Sequence, residues 1–218
     1  MDSAACIPSL NVNLMERFSG TAVALLVGEL ESSTGVEMWD MWRRTKIQKP
    51  EDWSMLFSKN TGTKISKEDA VREFDAFWKG YEKHTKLFPD TIKALEALKR
   101  QGLLLALVSN NWKETYNVFE KYGITKYFDV TVLSEEVDAI KSDLKPFEYV
   151  LSKLGLSPEE CIMVGDNLEE DGACRKLGMR FCLMDPQNKH VDEEDGFDYK
   201  ITILSELEKV INAEMKEV

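Results

Sequence analysis

From Phe88 onward the chain alternates helix-like with strand-like segments, the pattern of a parallel sheet covered by helices on both faces. Pro89 opens a helix in which Ile92, Leu95 and Leu98 recur at helical spacing and which Gln101-Gly102 stops. The run Leu103–Val108 is continuously apolar and bounded by Gly102 and the polar triplet Ser109-Asn110-Asn111, as expected of a central parallel strand. A helix through Tyr116, Phe119 and Tyr122 ends at Gly123, and Phe128–Leu133 reads as the next strand. A further helix through Phe147, Val150, Leu151 and Leu154 ends at Gly155. Cys161–Val164 is then a buried strand running into Gly165-Asp166. Arg180–Met184 and Tyr199–Ile203 close the sheet, and Leu204–Met215 is a terminal amphipathic helix.

The stretch from Met15 to Lys86 differs. It shows no strand-like run but holds helix-like segments carrying Trp39, Trp42, Trp53, Phe57, Phe74, Phe77 and Trp78, separated by Lys49-Pro50 and by residues 60–63. These rings read as the core of a helical subdomain, or in part as the lining of a pocket beneath a lid. The expected organisation is therefore a Rossmann-like α/β core formed by residues 1–14 and 87–218, with a helical cap at 15–86. A short N-terminal strand near Ile7–Val12 is expected to join the parallel sheet.

Charge and apolar run length narrow the class of partner. The 28 Lys and Arg stand against 39 Asp and Glu, a formal net charge of -11, which repels rather than neutralises a polyanionic backbone. Nucleic acid is not an expected partner. Thr21–Val27 and Leu103–Val108, the longest apolar stretches, fall far short of the roughly 20 residues of a membrane helix. The first ten residues lack a basic segment and are interrupted by Pro8, so the expected location is cytoplasmic. Cys6, Cys161, Cys174 and Cys182 form no CxxC pair and read as small buried hydrophobes.

Three segments carry chemistry. A strand ending at Ser109 delivers a hydroxyl to the carboxyl end of the sheet, where open α/β folds bind ligands, and the following helix start offers free amides to an anion. Ser109 and Asn110 are equally common as turn and capping residues. The strand into Gly165 presents Asp166 at its tip, with Asp171 five residues later. Such carboxylates suit a hard cation such as Mg2+, though acids at a helix start also complement its dipole. Between these segments lies Lys141-Ser-Asp-Leu-Lys-Pro-Phe147. A lysine there could neutralise a phosphoryl group, or remain a surface charge.

In this order, Ser109-Asn110, Lys141 and Gly165-Asp166-Asn167 resemble the second, third and fourth motifs of the haloacid dehalogenase-like (HAD) superfamily. Family members are similar in carrying K-P-D-P-x-x-F before a helix and then G-D. Lys141 with Asp143 and Phe147 keeps that register through to Gly165-Asp166, while Lys145 is the second choice. Phe88-Pro-Asp90, Ser134-Glu-Glu136, Leu154-Gly155 and Leu177-Gly-Met179 are similar as well, so the resemblance spans roughly Leu87 to the C-terminus. It implies a phosphate-handling hydrolase in which Ser109, Asn110 and Lys141 bind a small phosphorylated substrate and Asp166 and Asp171 bind Mg2+.

The first motif departs from the family. An aspartate nucleophile and an aspartate acid/base are implied there in a D-x-D sequence, whereas the corresponding stretch, residues 7–15, places Asn11 and Asn13 at those positions. An amide is a poor nucleophile and has no titratable proton, so Asn11 should not form an acyl phosphate and Asn13 should not shuttle protons. The run from Asp171 to Gly178-Met179 is also one residue shorter than the family's. Three functions are compatible with this pattern: a Mg2+-dependent phosphatase, a catalytically silent relative that binds a phosphorylated ligand or a protein partner, and a haloacid dehalogenase-like hydrolase. A further alternative is a natural phosphatase whose two aspartates were replaced or whose N-terminus was altered in this sequence. Gly165-Asp166 favours the phosphatase over the dehalogenase, whose site needs no metal.

Overall fold

The computed structural model describes residues 9–10, 15–17, 66–69, 71–72, 86–188, 190 and 196–217. Asn11, Asn13 and most of the stretch expected as a helical cap lie outside the described residues. Within that stretch residues 67–69 and 71–72 are helical, and Ser66 Oγ accepts the Asp69 N–H at 3.0 Å, an N-terminal cap.

The core is a six-stranded sheet in the order β5-β4-β2-β6-β7-β8. Its strands are β2 (Met15–Arg17), β4 (Ala106–Ser109), β5 (Val130–Leu133), β6 (Cys161–Gly165), β7 (Arg180–Met184) and β8 (Tyr199–Ile201). β4 pairs with β5, β6 with β7, and β7 with β8, all in parallel. Parallel neighbours need crossover connections, which the helices supply. These helices are α1 (Thr91–Arg100), α2 (Thr115–Lys121), α3 (Ser134–Val137), α4 (Lys145–Leu154) and α5 (Leu207–Glu217).

Every residue of β4 and β6 is buried, which is why their apolar runs are continuous rather than alternating. Their side chains nevertheless divide by the period of two. Leu105, Leu107, Ile162 and Val164 pack into one core with Leu95, Leu98, Phe119, Leu207 and Ile211. Ala106, Val108, Cys161 and Met163 enter the other with Phe147, Val150, Phe181 and Leu183. α4 starts with Pro146 in its first turn and ends at Gly155, whose φ of 67° is the left-handed conformation that closes many helices. No helix among the described residues is long and apolar enough to cross a membrane.

The N-terminal segment corrects one expectation. Of the stretch Ile7–Val12 the described residues are Ser9–Leu10, and these form β1, which pairs in parallel with β3 (Lys86–Leu87) in a separate two-stranded sheet rather than in the parallel sheet. The central slot between β4 and β6 is filled by β2, antiparallel to both, with Met15 opposite Ala106 and Met163 and with Arg17 opposite Cys161. Met15–Arg17 belongs to the stretch that read as having no strand. Two inner strand edges facing one another present unpaired backbone groups, and three residues in either direction can satisfy them. A segment as short as Met-Glu-Arg carries no periodicity that reveals this.

Candidate functional site

Three loops meet at the carboxyl end of the sheet. The first follows β4. Ser109 is 1% exposed, and its Oγ makes no hydrogen bond among the described residues. A buried hydroxyl without a partner is costly, so it marks a position where a ligand or water can complete the bonding. Asn111, also buried, donates its N–H to the Ser109 carbonyl at 3.0 Å, and its own carbonyl accepts the Ser134 hydroxyl at 3.2 Å. The turn after β4 is thus anchored to the start of α3.

Lys141 lies in the second loop, between Asp138 and Leu144, two residues with positive φ (49° and 65°). The lysine is 2% exposed. Its backbone N–H donates to Asn110 Oδ1 at 2.9 Å, and its Nζ forms an ion pair with Asp171. Lys145, by contrast, stands exposed at the first position of α4.

Asp166, Asn167, Glu170 and Asp171 make the third loop. Asp171 is fully buried; one carboxylate oxygen meets Lys141 Nζ and the other accepts the Asn167 N–H at 3.1 Å. Burial pushes its carboxyl above the ordinary aspartate value, while the Lys141 ammonium and the Asn167 N–H pull it back down. Gly165 makes room for this side chain: a Cβ there would come within 2.6 Å of Asp171 Cβ. Asn167 Oδ1 accepts the N–H groups of Glu169 (3.0 Å) and Glu170 (2.9 Å), which folds the loop back on itself. Asp166, at the tip of β6, is only partly buried.

Glu170 Oε2 accepts Asn110 Nδ2 at 2.8 Å and so joins the third loop to the first. The acidic run Glu169-Glu170-Asp171 gives no sequence signal that singles out Glu170, because its partner lies 60 positions away. Cys174, beside this loop, has its thiol pushed up by burial and by Asp171, which suits an inert core residue rather than a nucleophile.

The structure therefore gathers Asn110, Lys141, Asp171 and Glu170 into one hydrogen-bonded cluster, with Ser109 preceding Asn110 at the end of β4 and Asp166 at the tip of β6. A model of the haloacid dehalogenase-like hydrolase family matches residues 6–184. The chain belongs to this family. Among its relatives, ribulose-1,5-bisphosphate 5-phosphatase of Halopiger xanaduensis is 31% identical over 155 residues, covering 66% of this chain and 64% of that protein. Glyceraldehyde 3-phosphate phosphatase of Methanocaldococcus jannaschii is 33% identical over 129 residues, covering 57% and 56%. The matched segments thus span between about half and two thirds of the length of these HAD relatives. A HAD phosphatase of Thermococcus onnurineus superposes with a TM-score of 0.57 at 25% identity, covering 81% of this chain and 91% of that one. The magnesium-bound HAD hydrolase YfnB of Bacillus subtilis has the same fold, with a TM-score of 0.66 at 22% identity over 83% and 80%.

Proposed function

We propose that this chain carries the phosphate-binding half of a Mg2+-dependent HAD phosphatase site for a small phosphorylated molecule, and that its first motif restricts turnover. The observation that carries the reading is the buried Ser109 hydroxyl, which makes no hydrogen bond among the described residues and stands next in the chain to Asn110, whose side chain holds the backbone of the buried Lys141. These are donors of the kind a phosphoryl oxygen accepts from. The phosphatase names of the relatives support the same substrate class.

The charges of the cluster favour a cation. Asp166, Glu170 and Asp171 lie on the third loop, and the Lys141 ammonium pairs with Asp171. A phosphate ester brought into such surroundings requires compensation by positive charge. Asp166, partly open at the strand tip, fits a hard cation, since Mg2+ commonly takes one or two carboxylates together with waters and a phosphate oxygen. Asp171 fits less well, because both its oxygens are already engaged by Lys141 and Asn167. In this reading Asp166 holds the cation and Asp171 orients the lysine. When bound, Mg2+ would neutralise phosphoryl charge and polarise the bond to be broken. Ser109 donates to a phosphoryl oxygen, Lys141 neutralises it, and Asn110 sets its orientation.

Asn11 and Asn13 favour a second reading, in which the chain binds a phosphorylated ligand without turning it over. An aryl phosphate assay alongside calorimetric phosphate titration, each with and without Mg2+, separates the two. Binding with little turnover supports the silent form, and Mg2+-dependent hydrolysis abolished by Asp166→Ala supports the enzyme. If phosphate binds neither with nor without Mg2+, both readings fall.

A further inference from the structure

The Asn110 side chain has both ends held by different loops. Its Oδ1 accepts the Lys141 N–H at 2.9 Å and its Nδ2 donates to Glu170 Oε2 at 2.8 Å. This fixes which end of the amide is which, because an N–H faces the oxygen and a carboxylate faces the nitrogen. The bonds also close a circuit. Asn110 holds the Lys141 backbone, Lys141 Nζ holds Asp171, and Asp171 accepts from Asn167. Asn167 in turn caps the Glu170 N–H, and Glu170 returns to Asn110. Each member therefore limits the motion of the next.

We infer that Glu170 is a positioning residue: its carboxylate locks the plane of the buried Asn110 amide, so that the second Nδ2–H stands pre-oriented as a donor to a phosphoryl oxygen bound at Ser109. An amide carries two N–H groups, and Glu170 takes one; the Asn110 side chain makes no other hydrogen bond among the described residues than the two above. Asn110 is 4% exposed, so water cannot substitute freely for Glu170. Donors held in place before the ligand arrives avoid the ordering cost that a rotating side chain incurs. Placing a carboxylate near a phosphate site opposes binding by charge, and this geometry explains its presence through the donor it fixes.

This inference rests on the phosphate-site reading, and its test separates the two. In protein labelled with 15N at asparagine, Asn110→Asp identifies the Asn110 side-chain resonances. Hydrogen exchange of that amide is then measured without ligand, and inorganic phosphate with Mg2+ is titrated by calorimetry. The unliganded amide should be protected in the wild type and in Glu170→Gln, whose Oε1 still accepts, and unprotected in Glu170→Ala. Phosphate affinity should fall about tenfold in Glu170→Ala, the scale of one hydrogen bond to a charged acceptor, and be largely rescued in Glu170→Gln. Near-wild-type thermal unfolding of both variants excludes a general loss of fold. An Asn110 amide that exchanges freely in the wild type overturns the lock even if phosphate binds. A protected amide in a wild type that binds no phosphate leaves the lock intact and removes the phosphate reading. Equal phosphate affinity in all three proteins, or equal weakening in both variants, overturns the positioning role.

Discussion

Lys141 and Asp171, 30 positions apart in the chain, form an ion pair in which neither side chain is more than 2% exposed. A buried pair of this kind contributes little net stability compared with a well-packed apolar pair, but breaking it by removing one partner leaves an uncompensated charge. The pair fixes where the ammonium sits, because Asp171 is itself held by the Asn167 N–H.

Lys141→Met should therefore destabilise the protein by about 3–5 kcal/mol in urea unfolding at neutral pH. Lys145→Met, at an exposed position, should change stability by less than about 0.5 kcal/mol. Lys141→Met together with Asp171→Leu should recover part of the loss. Phosphate titration of the same set should show Lys141→Met weakening binding more than Lys145→Met. Equal effects of the two lysine changes on binding would transfer the role to Lys145.

The same pair predicts a pH signature. Burial raises the Asp171 carboxyl, so the folded state favours its protonated form, and its contribution is largest below the unfolded value and lost as pH rises through the folded one. Lys141→Met removes the ammonium that pulls this carboxyl down. The variant should regain stability relative to wild type as pH is lowered from neutral toward the ordinary aspartate range. A destabilisation that stays constant over that range would locate the effect in packing instead.

Gly165→Ala probes the close approach between β6 and the third loop. The added methyl overlaps the Asp171 side chain directly, and Asp171 is itself fully buried. A cost of about 2 kcal/mol or more in thermal or urea unfolding is expected, with phosphate binding lost as Asp171 is displaced from Lys141. Unchanged stability would mean that Asp171 has another rotamer available.

Away from the site, Glu206 accepts the Thr202 N–H at 2.8 Å and the Thr202 hydroxyl at 3.1 Å. The backbone bond from Thr202 is the main cause that holds its carboxyl below the ordinary glutamate range. The stability it contributes is present above the unfolded value and is lost as pH falls through the depressed folded value. Glu206→Gln should lower stability at pH 7, with the difference from wild type closing as pH falls below the ordinary glutamate range, as read from denaturation midpoints.

Restoring Asp at both Asn11 and Asn13 should raise Mg2+-dependent hydrolysis of an aryl phosphate from a low starting level. The first carboxylate supplies the attacking oxygen, and the second protonates the leaving group and then activates water. Single replacements should do far less than the pair, because the two groups serve successive halves of one reaction. Robust hydrolysis by the unaltered chain would place the nucleophile elsewhere.

The sequence by itself determined the α/β alternation, because strands buried on both faces must be continuously apolar. Ala106–Ser109 and Cys161–Gly165 lie where those runs end in Ser109 and Gly165. It also determined which residues reach the carboxyl edge, since strand ends and turn residues are local features. The tertiary structure alone decided how they bond. Asp171, expected beside a cation, turns to Lys141, and Glu170 finds Asn110 across 60 positions. The central slot goes to Met15–Arg17, running antiparallel, rather than to a parallel strand near Ile7–Val12. Strand direction and side-chain partnership depend on groups distant in the chain, and spacing along a sequence records only groups that are near.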